Sequence, residues 1–122
     1  MTTLYGIPNC DTVKKARAWL DAHGVTYAFH DYRKAGLPAD LLRAWVARLG
    51  WEALLNRNGT TFHKLPEADR ADLDSERAVA LMLAHPSAIR RPVAVDGDTL
   101  LVGFRPDAWH AAFASVLPTQ HD

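Results

Sequence analysis

Apolar residues follow two different spacings in the first third of the chain, and the change between them separates strands from a helix. Thr3–Gly6 is a short apolar run that predicts a strand. Helical spacing follows and ends at His23–Gly24, in a stripe formed by Val13, Ala16, Trp19 and Leu20. Val25–His30 alternates and carries β-branched and aromatic residues, which predicts a second strand, parallel to the first. The chain is therefore predicted to open as a βαβ unit.

The middle of the chain has the spacing of helices. A stripe at positions i, i+3 and i+4 begins after Pro38, ends at Gly50, and consists of Leu41, Leu42, Trp45, Val46 and Leu49. Residues 51–55 are predicted to add a helical turn and residues 56–61 a polar loop. Asp74 is predicted to cap a further helix, which ends at His85–Pro86. These patterns indicate a helical segment between two parts that contain strands.

The last third of the chain predicts a hairpin and a closing helix. The runs Val93–Val95 and Leu100–Val102 flank Asp96-Gly97-Asp98, a strong turn signal. Pro106 is predicted to start a helix with one apolar side, formed by Trp109, Phe113, Val116 and Leu117. This order predicts an α/β, thioredoxin-like fold with a helical insertion between the βαβ half and the C-terminal β-hairpin plus helix. Residues 1–117 are predicted to form one domain, and residues 118–122 a tail.

The composition of the chain bears on its expected binding partners and its compartment. The 122 residues include 14 basic and 14 acidic side chains, so the formal net charge is zero and gives no reason to expect direct nucleic-acid binding. No secretory leader and no apolar run of membrane-spanning length are visible, so no membrane association is expected. One cysteine cannot form an internal disulfide, which suits a reducing compartment. A cytoplasmic protein is expected.

Cys10 is the candidate reactive group. It lies where the first strand is predicted to lead into the first helix, and helix N-termini lower the pKa of cysteine because unpaired N–H groups favour the thiolate. Its flanking residues, Asn9 and Asp11, are polar, and Lys14 and Lys15 follow within about a turn. A lone cysteine is otherwise often a small buried apolar residue. The polar setting favours a reactive thiol.

Several motifs together resemble the arsenate reductase and Spx family. They are Tyr5-Gly6-Ile7-Pro8-Asn9-Cys10-Asp11-Thr12-Val13-Lys14-Lys15-Ala16, Phe29-His30-Asp31-Tyr32-Arg33, Gly50-Trp51-Glu52-Ala53-Leu54-Leu55-Asn56, Arg91-Pro92 and Gly103-Phe104. The resemblance covers residues 2–117 and is strongest to the branch of small bacterial proteins called YffB. It implies a thioredoxin-like, glutathione-dependent thiol reductase.

The resemblance assigns roles at the cysteine end of the chain. Cys10 matches the family's nucleophile, and Val13 stands where Spx proteins carry a second cysteine. The chain is therefore monothiol, and an external thiol must release any adduct by exchange. Glutathione or glutaredoxin is the implied partner, with glutathione as co-substrate and no tightly bound cofactor.

The resemblance also suggests an anion site. In the reductases three arginines hold the oxyanion; Arg91 matches the second and Arg105 resembles the third. The first of these arginines corresponds to Asn56 in this chain, with Arg57 one place later. The set of three arginines is therefore not fully matched, which makes arsenate a weaker candidate substrate. Without the resemblance, Arg90 and Arg91 could equally be solvated charges.

Four further residues complete the predicted site. Asn9 and Thr12 are candidate donors to a bound anion or to glutathione, or else local caps. Lys14 supports the Cys10 thiolate or simply decorates the helix surface. Pro92 is expected to be cis by resemblance, although most X-Pro bonds are trans. The six histidines show no close pairing in the sequence, so no metal site is predicted.

Two functions of different classes follow. The first is a thiol-dependent oxidoreductase that acts on a small oxidised or oxyanion substrate through Cys10 and Arg91. The second is a regulator that binds RNA polymerase, as Spx proteins do. Val13 favours the enzyme, because the regulators use a cysteine at that position as a sensor.

Overall fold

The structure, a computed structural model, describes residues 1–114. The chain forms two compact units: Met1–Asp31 together with the chain from Arg91 onward, and Tyr32–Arg90. Val116, Leu117 and the predicted tail, residues 118–122, lie outside the described residues. The division into a domain of residues 1–117 and a tail therefore stays a prediction.

The first unit opens with three elements, which are β1 (Thr2–Gly6), α1 (Asp11–Ala22) and β2 (Tyr27–Asp31). The second unit consists of helices, most of them a single turn long: α2 (Tyr32–Ala35), α3 (Ala39–Leu49), α4 (Trp51–Leu54), α5 (Thr60–His63), α6 (Glu67–Arg70), α7 (Ser75–Ala84) and a 3₁₀ turn (Pro86–Ala88). The chain then returns to the first unit with β3 (Val93–Asp96), β4 (Thr99–Val102) and α8 (Pro106–Ala112).

The first unit contains a four-stranded sheet in the order β2-β1-β3-β4. β1 and β2 are parallel, as the crossover through α1 requires, and β3 runs antiparallel to both β1 and β4. The hairpin turn falls at Gly97–Asp98, as the turn signal predicts. The thioredoxin-like fold predicted from the sequence is confirmed, with the helices of the second unit as its insertion.

One face of the sheet carries the core of the first unit. The buried residues of this cluster come from β1, β3, α1, α8 and the C-cap of α8, and they are Leu4, Ala16, Leu20, Ala94, Trp109 and Phe113. β1 and α1 approach closely at Gly6, where an added Cβ would lie 3.0 Å from a methyl group of Val13. A Cβ at residue 6 would require the Val13 side chain to move by a few tenths of an ångström, so glycine here permits this close approach of β1 and α1.

The second unit confirms the predicted helices and corrects the loop. The carboxylate of Asp74 accepts a hydrogen bond of 2.8 Å from the backbone N–H of Arg77, so Asp74 caps α7 as expected. The predicted polar loop of residues 56–61 is too long, because Thr60 already begins α5. Helices as short as α2, α5 and α6 escape a search for periodicity, since four residues complete barely one turn.

Two of the histidines, which show no close pairing in the sequence, lie near each other in the fold. The rings of His23 and His110 lie 6.3 Å apart between centroids, although the two residues are distant in the chain. They come together because α1 and α8 pack on the same buried cluster. Sequence spacing carried no signal of this contact.

Candidate active site

Cys10 occupies the N-cap position of α1. β1 ends at Gly6, and the chain reaches Cys10 in extended conformation, with φ −121° and ψ 125°, before α1 begins at Asp11. The backbone carbonyl of Cys10 accepts the first helical hydrogen bond, from Lys14 N–H at 2.9 Å. The thiol is free and half-buried. The predicted position at a helix N-terminus is thus correct.

Arg91 lies just before β3 and contacts Cys10. The antiparallel pairing of β3 with β1 sets Val93 opposite Tyr5, which brings the residues just before β3 to the end of β1 that leads to Cys10. The Arg91 side chain donates a hydrogen bond to the Cys10 sulfur, and its Nε atom is buried. The Arg91–Pro92 peptide bond is cis, as expected from the resemblance. Arg91 is therefore not an ordinary solvated charge.

The surroundings of Cys10 act on its pKa in opposite directions, and the net effect lowers it. Partial burial is the largest single influence and raises the pKa. The backbone N–H of Val13, the hydrogen bond and positive charge of Arg91, and the backbone N–H of Thr12 lower it, and together they outweigh burial. The thiolate is consequently more populated at neutral pH than in an ordinary cysteine.

A glycine ties the cis proline to the core. Gly103 has φ +78°, a conformation that other residues rarely adopt. Its N–H donates to the Pro92 carbonyl at 2.8 Å, and its own carbonyl accepts a hydrogen bond of 3.1 Å from Trp109 Nε1. Gly103 and Trp109 thus hold the segment that carries Arg91. In the sequence, Gly103 stands out only as part of the motif Gly103-Phe104, and this role is not visible there.

The remaining predicted site residues of the first unit contribute less. Asn9, Thr12 and Lys14 are exposed, and among them only Thr12 acts on Cys10, through its backbone N–H. Arg105 is exposed at the N-cap of α8, where it forms no ion pair with any residue between 1 and 114. Their roles in binding an anion stay predictions.

Arg57 belongs to the second unit and has a partner there. Its guanidinium carbon lies 5.2 Å from the centroid of the Trp51 ring, within cation–π distance. Hydrogen bonds fix the neighbouring Asn56 in the loop. Its backbone N–H donates to the Ala88 carbonyl at 2.8 Å, and its side-chain oxygen accepts from the Asn58 N–H at 3.2 Å. No pattern in the sequence predicts that Arg57 lies over the Trp51 ring.

The described residues contain neither a metal-binding cluster nor a membrane-spanning helix. No group of three or more histidine, cysteine or acidic side chains within residues 1–114 is arranged to hold a metal ion. In the same range, no helix has both the length and the apolar character needed to cross a membrane.

The pH dependence of alkylation tests the thiolate directly. Because the pKa of Cys10 is lowered, its reaction rate with iodoacetamide should reach half of its plateau below pH 8.5, the approximate midpoint of an unperturbed cysteine. The measurement follows adduct mass against time from pH 5 to pH 10, with the same protein unfolded in urea as the control. Coincident midpoints for the folded and unfolded chains would contradict an activated thiolate.

Known proteins resemble this chain along most of its length. The model of the ArsC family matches residues 5–112. A solved structure of a YFFB protein is 57% identical, with a TM-score of 0.90, and the match covers 92% of this chain and 98% of that one. The solution structure of an arsenate reductase (ArsC) related protein from Brucella melitensis is 53% identical, with a TM-score of 0.73, and the match covers 92% of this chain and 93% of that one.

A regulator is also among the relatives. The global transcriptional regulator Spx of Streptococcus mutans is 31% identical over 109 residues, which are 88% of this chain and 79% of the regulator. The family match includes Cys10, Arg91 and the cis Pro92, the residues that the fold brings together. With this site in a thioredoxin-like fold, the chain belongs to the ArsC family.

Proposed function

We propose that the protein is a glutathione-dependent thiol reductase that uses Cys10 as its single nucleophile and acts in the cytoplasm. The contact between Cys10 and Arg91 at the N-terminus of α1 carries this proposal, since it both lowers the pKa of the thiol and sets a cation beside it. The names of the ArsC-related relatives agree with a reductase but do not define its substrate. A reducing compartment suits a chain whose one cysteine must return to the thiolate.

The first step is an exchange at sulfur. The Cys10 thiolate attacks the glutathione sulfur of a mixed disulfide between glutathione and an oxidised substrate. A disulfide between Cys10 and glutathione forms, the original disulfide breaks, and the substrate sulfur leaves as a thiolate that takes a proton from water. Arg91 assists by stabilising the attacking thiolate and by holding anionic groups near it.

The second step needs a thiol from outside the chain. No other cysteine is present among the 122 residues, so a second glutathione thiolate attacks the glutathione sulfur bound to Cys10. Oxidised glutathione leaves and the Cys10 thiolate returns. In sum, the mixed disulfide and one glutathione become one substrate thiol and one oxidised glutathione. Glutaredoxin could supply the same resolving thiol.

Arsenate is a weaker candidate substrate than a disulfide. A doubly charged oxyanion calls for several arginines, and Arg91 is the one whose contact with the Cys10 sulfur is described. Arg57 stacks on Trp51 in the second unit, and Arg105 is exposed at the start of α8. A disulfide carries no charge at the reacting sulfur, so one arginine suffices for it.

Mass spectrometry after exposure to oxidised glutathione tests the proposal. We expect one glutathione adduct per chain, on Cys10, because the lowered pKa populates the attacking thiolate and no neighbouring thiol can displace the adduct. Addition of reduced glutathione should restore the unmodified mass. Cys10→Ser is the matched control and should give no adduct.

Other products would count against the assignment. Dimers linked through Cys10 with no glutathione adduct, or an adduct that forms no faster than on the urea-unfolded chain, would contradict a site that favours glutathione. An adduct that reduced glutathione fails to release would contradict turnover.

The Spx relatives favour a second candidate, a regulator that binds RNA polymerase. The 31% identity to a global transcriptional regulator, over most of both chains, is the observation behind it. Val13 in place of the regulators' second cysteine removes the sensing dithiol that the resemblance implies. Co-purification of the tagged protein with RNA polymerase subunits, together with a negative glutathione result, would favour the regulator over the enzyme.

A further inference from the structure

A pair of imidazoles lies on the first unit, at the opposite end of α1 from Cys10. His23 is the C-cap residue of α1, and His110 lies on α8. Their ring centroids are 6.3 Å apart, with an angle of 70° between the ring planes. Neither residue takes part in the chemistry proposed for Cys10.

The surroundings of His23 prepare one of its ring nitrogens as a ligand. Its Nδ1 atom lies 2.8 Å from the backbone carbonyl oxygen of Trp19, an acceptor, so Nδ1 carries the proton and Nε2 presents its lone pair. The ring also stacks on the Trp19 indole at 4.1 Å, with 25° between the planes, which restricts its orientation. Histidines that bind metals characteristically donate their other N–H to such a carbonyl.

The separation of the two rings suits a shared ion. Metal–nitrogen bonds of about 2.0–2.1 Å, added to about 1.2 Å from each ring centre to its nitrogen, allow centroids up to about 6.4 Å apart when the two nitrogens lie on opposite sides of the ion. The observed 6.3 Å lies just within this limit. His110 is exposed on α8 and can change its rotamer, whereas His23 is half-buried and held by Trp19. Rotation of the exposed His110 side chain can therefore redirect its ring nitrogens while His23 stays fixed.

We infer that His23 and His110 form a surface site for a divalent transition-metal ion that prefers imidazole ligands, with water completing the coordination. Cu²⁺ is the expected strongest binder, because it stands above Ni²⁺ and Zn²⁺ in the general order of affinity. No third protein ligand is available among residues 1–114. The ion is therefore expected to exchange readily, unlike one in a closed structural site.

Binding of Cu²⁺ to the Cys10→Ser chain tests the inference. This background removes the one thiol, which Cu²⁺ would oxidise. We expect one equivalent of Cu²⁺ to bind in calorimetry, and its electron paramagnetic resonance spectrum to show two nitrogen ligands of imidazole type. His23→Gln and His110→Gln should each weaken binding at least tenfold and remove one nitrogen from the spectrum.

Two matched controls separate this site from other imidazoles. His63→Gln and His85→Gln each change a histidine of the second unit, and each should alter the affinity less than twofold. Circular dichroism of all variants checks that their folds are unchanged. Retention of full affinity in either the His23 or the His110 variant, or an equal loss in a control variant, would overturn the inference.

Discussion

Arg91→Lys is expected to slow the reaction of Cys10 with oxidised glutathione at pH 7 by about tenfold. Lysine keeps the positive charge but lacks the planar fork of donors with which Arg91 reaches the sulfur. A hydrogen bond to a charged group contributes about 1.5–3 kcal/mol, and the lower value suits the half-buried Arg91, because water screens part of the interaction. The pKa of Cys10 should rise in the variant, since an influence that favours the thiolate is removed.

Arg57→Lys is the matched comparison in the same experiment. Arg57 lies over Trp51, and the described contacts of Cys10 do not include it, so this variant should react within twofold of the native rate. Both variants are followed by adduct mass against time, and both alkylation profiles are recorded from pH 5 to pH 10. A larger loss in Arg57→Lys would show that the loop register taken from the family pattern is wrong. It would also strengthen the case for an arsenate-type arginine cradle.

The sequence was sufficient for the elements that position Cys10. A short apolar run followed by a helical stripe predicts β1 and α1, and the polar residues between them predict that Cys10 lies at the junction. The turn Asp96-Gly97-Asp98 fixes the hairpin that begins just after Pro92. These features depend on residues close together in the chain, where periodicity and turn chemistry are reliable guides.

The features that the sequence did not reveal depend on distant residues. Arg91 was assigned to Cys10 by family resemblance alone, and the contact arises from the pairing of β3 with β1. The approach of His23 to His110 requires α1 and α8 to share one buried cluster. No local spacing encodes such contacts, because they follow from the order of strands in the sheet and from core packing.

Trp109→Ala is expected to lower the free energy of unfolding by about 3–5 kcal/mol, the usual cost of removing a large buried aromatic side chain. Trp109 is 1% exposed and packs edge-on against Trp19, with their ring centroids 5.7 Å apart. Its Nε1–H also donates a hydrogen bond to the Gly103 carbonyl. The Gly103 N–H in turn donates to the carbonyl of Pro92, the residue after Arg91. Urea denaturation followed by circular dichroism measures the loss. The control His110→Ala alters the next, exposed residue and should change stability by less than about 0.5 kcal/mol.

Trp109→Phe separates the packing of the ring from its hydrogen bond. Phenylalanine keeps much of the buried aromatic surface but leaves the Gly103 carbonyl without its indole donor, which should cost about 1–3 kcal/mol. Because Gly103 N–H donates to Pro92, we also expect this variant to shift the alkylation midpoint of Cys10 upward, as the position of Arg91 becomes less fixed. Equal losses of stability in the alanine and phenylalanine variants would show that the hydrogen bond outweighs ring packing. An unchanged alkylation profile in the folded phenylalanine variant would show that Arg91 keeps its place without this link, and that β3 pairing alone positions it.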